Sequence, residues 1–306
     1  MIRRSATLLA LAALALAGCE TTNLAPHAGP AARLDDDERR LWARAREEQD
    51  RLDRSSLRTS ERDTEAYLER VVARLHPDPV PGGGAFRVRV LIDPTFNAFA
   101  MPDGAIYVHS GLLTQAENEA QIATVLSHEL THTLHRHSVR GARQMRNQTA
   151  ALATLGAGGM AAGIAGSAVT LLGAVGTVAS VTGYSRELER DADTAGFQRL
   201  VAAGYEPAEA PKVFRILLAE AEREKVNAPF FFSTHPRLQE RVASYDQLVA
   251  ALPADRAPGT VGPALFEAAI VPLLLPNAQA ALASGRHAVV AENARRLLAV
   301  RPSDPH

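Results

Sequence analysis

Apolar positions along this chain change their period several times, and each change predicts a different element. Tyr67, Leu68, Val71, Val72 and Leu75 recur at three- and four-residue intervals, which predicts a charged helical stretch over about 34–75. Pro77, Pro79, Pro81 and the Gly82-Gly83-Gly84 run end it. Phe86, Val88 and Val90 then alternate with Arg87 and Arg89, a strand pattern, and two more extended pieces, 96–100 and 105–108, flank the turn residues Pro102-Asp103-Gly104. A helix over about 117–138 comes next, with Ile122, Val125, Leu126, Glu129, Leu130 and Thr133 along one side. Thr149 to Val181 carries no charged residue and is dominated by Ala, Gly, Leu and Val. Helical patterns return over about 185–203, 207–226 and 233–252. The alternation predicts an α+β fold, mainly α-helical, with a small sheet just before the central helix.

The N-terminal residues read as an export signal. Arg3 and Arg4 precede an apolar run from Ala6 to Ala17, too short to span a bilayer comfortably. The run ends in Leu16-Ala17-Gly18-Cys19, which resembles a bacterial lipobox, and Cys19 is the chain's one cysteine. That resemblance implies cleavage before Cys19, diacylation of that cysteine, and a stable membrane anchor. By resemblance to proteobacterial lipoproteins, a residue other than aspartate after the cysteine, here Glu20, implies an outer-membrane address facing the periplasm. The expected organisation is a signal peptide over 1–18, a tether over 19–33, a main domain over 34–252, a linker over 253–263 and a helical segment over 264–306. In that last segment, Gly285, an amphipathic stretch and Pro302 resemble half a tetratricopeptide repeat; a helical hairpin packed on the main domain is the alternative. The formal net charge of -1 gives no basic surplus for nucleic acid to recognise.

His128-Glu129-Leu130-Thr131-His132 is an H-E-x-x-H sequence inside the central helix. Residues four apart share a helix face, so the two imidazoles can reach one metal ion. Glu129 lies about 100° round the helix from His128, where it can serve as general base without being a ligand. A zinc site of this kind needs a third protein ligand. The run Ser185 to Asp193 offers two Glu-x-x-x-Asp pairs, and helical phase separates them. Glu189, Ala192, Asp193, Gly196, Phe197 and Leu200 form a small and apolar face that must point inward. Glu187, Arg190, Asp191, Thr194 and Gln198 form the opposite face, where Glu187 and Asp191 are expected to be solvated. A carboxylate on a buried face needs a partner, so Glu189 is the expected metal ligand. Asp193, one turn later, is placed to accept a hydrogen bond from a ligand imidazole. His135 and His137 are not expected to be ligands. On a continuous helix His137 would point about 140° away from His132.

With these residues in place, the chain resembles the gluzincin zinc metallopeptidases of the HtpX and CAAX-prenyl-protease type, in particular their periplasmic, BepA-like lipoprotein members. The resemblance covers roughly Leu34 to Leu252. It rests on Asn97-Ala98 and Pro102-Asp103-Gly104, the H-E-x-x-H helix, Ser185-Arg186-x-x-Glu189-x-x-Ala192-Asp193, and Ser233-Thr234-His235-Pro236 with Arg241. It implies a zincin-type domain holding one zinc ion per chain on His128, His132 and Glu189, with Glu129 as base. It also implies that His235 and Arg241 stabilise the oxyanion, although in some periplasmic relatives the matching histidine occupies the open zinc position instead. Residues 96–100 resemble the edge strand that pairs with extended substrate.

What the resemblance implies as function is hydrolysis of internal peptide bonds in misfolded or unassembled cell-envelope proteins, a quality-control role. A non-catalytic or dual-role envelope chaperone is the competing reading, with the C-terminal helices as a possible protein-binding segment. The uncharged 149–181 segment fits a helical hairpin over the active site or a contact with the lipid surface. A membrane crossing and return would take about 40 residues, more than it contains.

Overall fold

A computed structural model of the chain describes residues 21–80 (apart from 28 and 30), 84–155, 184–224 and 238–300. The signal peptide, Cys19, most of the uncharged 149–181 segment and His235 lie outside the described residues.

The architecture is mainly helical, around one three-stranded sheet. In chain order the elements are α1 (Asp36–Asp53), α2 (Arg62–Leu75), β1 (Arg87–Leu91), β2 (Ala98–Ala100), β3 (Ala105–His109), α3 (Ser110–Gln115), α4 (Glu119–Leu134), α5 (His137–Leu155), α6 (Arg186–Ala202), a 3-10 turn (Pro207–Glu209), α7 (Ala210–Glu224), α8 (Leu238–Ala250), α9 (Pro263–Ala283) and α10 (His287–Val300). The sheet order is β1-β3-β2, with β1 parallel and β2 antiparallel to β3. β2 is therefore an edge. His109 N–H donates to Asn97 O and Met101 N–H to Ala105 O, so the alternation of an antiparallel ladder turns the backbone groups of Ala98 and Ala100 to the outer side.

The apolar stripe of α2 packs with Val88, Val90, Ile106 and Val108 of the sheet, and with Ile122, Val125, Leu126 and Leu130 of α4, in one core. Every residue of α4 is buried. Such a helix must satisfy its polar groups locally. Asn118 caps it by accepting from Gln121 N–H, and Thr124 and Thr131 return their hydroxyls to carbonyls four residues back. Helices α4 and α6 lie backbone to backbone. Ser127 Oγ donates to Gly196 O at 2.7 Å, and a Cβ at Gly196 would sit 3.1 Å from the His128 nitrogen.

Several boundaries differ from the sequence pattern. The stretch read as one helix over 34–75 is two, because residues 54–61 turn and Arg58 bridges to Leu91 of the sheet. The central helix stops at Leu134 rather than near Ser138. Arg136 takes a left-handed φ of 58°, and α5 starts in a new direction at His137. A left-handed arginine is unfavourable in isolation. It is held by long-range ion pairs, with Nη2 at 2.7 Å from Glu38 and 3.0 Å from Asp35 at the start of α1. The segment read as a tether is also packed: His27 N–H donates to Leu134 O, and Thr21 O accepts from Arg143. Residues 253–263 are not a free linker either. Thr260 exchanges backbone hydrogen bonds with Gly204 and Glu206, and Ala120 N–H donates to Val261 O. Helices α9 and α10 form a hairpin seated on α3, where Asn277 bonds Ser110 and Thr114 and Arg296 reaches Thr114 O.

Glycine in the interior of a helix is ordinarily a weak point, but Gly111 is demanded by space. A Cβ there would fall 2.3 Å from Pro94 O and 2.5 Å from Thr95 O, in the loop that leads into β2. Gly111→Ala is expected to destabilise the chain by about 1–3 kcal/mol. Gly141→Ala, in α5 where an added Cβ meets nothing within 4 Å among the described residues, is expected to stabilise it by about 0.5–1 kcal/mol. Denaturant unfolding of the two variants checks both signs.

Candidate metal centre

The α4–α6 contact brings two stretches of chain together around a group of buried donors. His128 and His132 leave α4 one turn apart with their Nε2 atoms 2.9 Å from each other. Glu189 leaves the first turn of α6, whose N-cap Ser185 accepts from Leu188 N–H. Its carboxylate lies 3.6 Å from His128 Nε2 and 3.5 Å from His132 Nε2. A tetrahedral ion about 2.0–2.1 Å from each of three donors sets them about 3.3 Å apart, so these separations fit one metal ion. All three residues are buried. The buried side of α6 comprises Leu188, Glu189, Ala192, Asp193, Gly196, Phe197 and Leu200, while the side chain of Glu187 is 86% exposed.

Three carboxylates crowd this space, those of Glu129, Glu189 and Asp193, against one guanidinium, that of Arg241. Counted as ionised they leave two buried negative charges, which one divalent cation cancels. Burying them without it is costly. The protons agree with this count. His128 Nδ1 lies 3.0 Å from Asp193 Oδ1, so Nδ1 carries the hydrogen and Nε2 presents its lone pair.

Glu129 sits beside the donors without joining them, and its Oε2 accepts from Ala100 N–H at 2.9 Å. The carboxylate is thus tied to the edge strand. Asn97, just before that strand, is fully buried, and among the described residues neither its amide oxygen nor its nitrogen finds a hydrogen-bond partner.

Arg241 of α8, which the resemblance makes an oxyanion donor, has the Asp193 carboxylate as its nearest partner. Its Nε lies 3.1 and 3.2 Å from the two oxygens of Asp193 and its Nη2 2.6 Å from Oδ1, with Nη2 also 3.1 Å from His128 Nδ1 and 3.5 Å from His128 Nε2. Nη1 faces Glu189 Oε2 at 3.8 Å. Burial opposes both charges, yet the guanidinium holds the Asp193 carboxyl well below the usual carboxylate range. Tyr245 O–H adds a hydrogen bond to the same carboxylate. A cleft of about 400 Å³ between α6 and α8, lined by Arg186, Glu189, Arg190, Asp193, Glu240 and Arg241, opens beside this pair.

Asp191 departs from the solvated-face expectation. Its Oδ2 accepts from His135 at 2.8 Å and from His137 at 2.9 Å. Burial raises its pKa, but those hydrogen bonds outweigh the effect and lower it. Because α4 ends at Leu134, His137 turns back instead of pointing away, and its Nδ1 lies 2.9 Å from His132 Nδ1. Burial pushes the His137 pKa down to about 4 despite the facing Asp191. Tyr184 stacks on the His132 ring at a centroid distance of 3.9 Å and an interplanar angle of 15°, with its hydroxyl 2.9 Å from Ser138 Oγ. Nothing in the sequence periodicity marks Tyr184. The cluster of histidines at 132, 135 and 137 does stand out, but its geometry depends on the corner at Arg136.

The profile of peptidase family M48 matches residues 60–249. The chain belongs to that family. The match includes His128, Glu129, His132, Glu189, Asp193 and Arg241 and stops before the C-terminal hairpin. Among individual M48 relatives, the beta-barrel assembly-enhancing protease of Escherichia coli strain K12 is 32% identical over 163 residues, 52% of this chain and 33% of the relative. The mitochondrial metalloendopeptidase OMA1 of Schizosaccharomyces pombe is 28% identical over 184 residues, 60% of this chain and 52% of the relative. The one from Arabidopsis thaliana is 30% identical over 162 residues, 52% of this chain and 30% of the relative. The chain thus spans a third to a half of the length of these M48 relatives.

Arg241 and Asp193 give this site its own pH signature. The pair contributes stability in full above the ordinary carboxylate pKa of 3.8, and loses it as pH falls through the lower value of the folded state. Arg241→Leu leaves a buried carboxylate beside Glu189. The variant is expected to lose about 3–5 kcal/mol of stability. Its acid-unfolding midpoint, followed by circular dichroism, should move to higher pH, because Asp193 then takes up its proton earlier.

Proposed function

We propose that this chain is a zinc metalloendopeptidase of the bacterial cell envelope. The carrying observation is the convergence of three buried donors, His128, His132 and Glu189, with a fourth carboxylate, Glu129, held at their side by a backbone N–H of an edge strand. A zinc ion held by the three donors supplies Lewis-acid polarisation of the scissile carbonyl and an activated water.

The chain's own residues then divide the remaining work. Glu129 accepts the proton of the attacking water and hands it to the leaving amine. Its anchor on Ala100 N–H fixes the carboxylate against the strand that receives substrate. Ala98 and the carbonyl of Ala100 face outward from β3, and an extended peptide added there would run past Glu129. Recognition through main-chain groups reads little side-chain identity, which suits unfolded or misassembled proteins as substrates. Asp193 orients His128, and Arg241 holds Asp193. That geometry supports a positioning part for Arg241 and leaves oxyanion stabilisation to His235. Occupation of the open metal position by His235 is the alternative part for that residue.

The lipobox at Leu16 to Cys19 supports a lipid anchor on Cys19, which would keep the peptidase on a membrane, the outer membrane on the Glu20 reading. The similarity to the beta-barrel assembly-enhancing protease of Escherichia coli supports envelope proteins as the substrate class. The C-terminal hairpin is a possible seat for a protein partner.

Glu129→Gln separates the peptidase from a chaperone that merely holds clients. The variant is expected to retain zinc by metal analysis while cleavage of unfolded casein falls by about 10²–10⁴-fold. Undiminished cleavage would refute the assigned base, and a wild-type chain with no cleavage at any metal concentration would favour the chaperone. For the metal, Glu189→Ala should lose zinc and Glu187→Ala should keep it; equal retention in both overturns the ligand set.

A further inference from the structure

The two histidines of the metal site have unlike supports. His128 meets a carboxylate directly, through Asp193 at 3.0 Å. His132 meets a second histidine: His132 Nδ1 lies 2.9 Å from His137 Nδ1, and His137 Nε2 lies 2.9 Å from Asp191 Oδ2. A hydrogen bond between two imidazoles has a direction, and here both ends dictate the same one. Asp191, ionised and acceptor-only, requires the His137 proton on Nε2. His137 Nδ1 is then a lone pair, so the hydrogen shared with His132 belongs to His132 Nδ1. That leaves His132 Nε2 unprotonated, and it is this atom that faces His128 Nε2 and Glu189.

We infer that Asp191 and His137 form a relay of fixed proton order that holds His132 in the tautomer able to bind metal through Nε2, making both of them positioning residues of the metal centre. The inference rests on the peptidase reading of the same three ligands. The chain is built to keep the relay in place. The left-handed corner at Arg136 turns His137 back toward His132. His135 Nδ1 at 2.8 Å and Arg140 Nη1 at 3.6 Å also meet Asp191 Oδ2 and help to hold the carboxylate in place. Tyr184, stacked on His132, fixes the ring plane in which the Nδ1 hydrogen points.

His135, His137 and Asp191 are also close enough together to hold a cation of their own. Proton counting rejects that use while His132 carries a metal. A metal on His137 Nε2 would move the His137 proton to Nδ1, where it would oppose the hydrogen of His132 across 2.9 Å. The two uses exclude each other, and the relay is the one compatible with a loaded site.

Binding of Zn²⁺ to the purified chain, measured by competition with a chromophoric chelator, tests the relay apart from catalysis. His137→Leu removes the acceptor and Asp191→Ala removes the group that orders it. Each is expected to weaken Zn²⁺ binding about 10–100-fold. His137→Asn places an amide oxygen near the position of Nδ1 and is expected to restore affinity to within about threefold of the wild type. In the Co²⁺-loaded chain, the shifted Nδ1–H resonance of His132 should survive in wild type and His137→Asn and exchange away in His137→Leu. Asp191 is partly exposed, so Asp191→Ala keeps the test alive should His137→Leu fail to fold. Wild-type affinity in both His137→Leu and Asp191→Ala overturns the relay. So does a His137→Asn variant as weak as His137→Leu, which would mark His137 as packing alone. A wild-type chain that binds no Zn²⁺ overturns the peptidase reading and the relay with it.

Discussion

Surplus negative charge enclosed between two helices is the constraint on which the rest of this molecule depends. Helix α4 contributes two imidazoles and a carboxylate, and α6 contributes two more carboxylates, to a space from which water is largely excluded. Arg241 offsets only part of that charge. A helix pair packed this closely, with Ser127 bonded to Gly196 across the interface, would not be stable around uncompensated carboxylates. A divalent cation held there would turn the liability into an adhesive between α4 and α6. Folding and metal binding would then be linked, and stability would depend on the free metal concentration.

Much of the centre could be read directly from residue spacing. The four-residue interval of His128 and His132, and the helical phase that set Glu189 and Asp193 among small and apolar neighbours, describe the same buried faces that the structure displays. These are local properties, since a helix determines which residues share a side. What could not be read was fixed by distant parts of the chain. The end of the central helix depends on Arg136 reaching Glu38 and Asp35, about a hundred positions earlier. No periodicity reports that contact. With the corner misjudged, His137 was assigned the wrong direction, and Asp191 on the far face of α6 had no visible partner. The break between α1 and α2 has a similar origin, because Arg58 turns aside to join Glu65 and the sheet.

The N-terminal part of the chain has more to do than connect. Asp35, Asp37 and Glu38 form a compact acidic group that receives Arg136, Arg143 and Arg146. Hydrogen bonds from Arg143 hold the Asp37 carboxyl well below the usual carboxylate range. Through Arg136, the helix that follows the proposed anchor sets the corner beneath His132. The candidate metal centre thus inherits part of its geometry from α1, through the ion pairs of Arg136.

The contact between Ser138 and Tyr184 closes a detour of 46 positions at 2.9 Å, directly beneath the metal ligands. Entry and exit of the detour are pinned side by side, so its length scarcely burdens the centre. Doubling a closed loop costs only about 0.6 kcal/mol in chain entropy. The stretch between Arg146 and Tyr184 can therefore vary in length and chemistry at little cost in chain entropy, provided that Arg140, Arg143 and Arg146 keep their carboxylate partners.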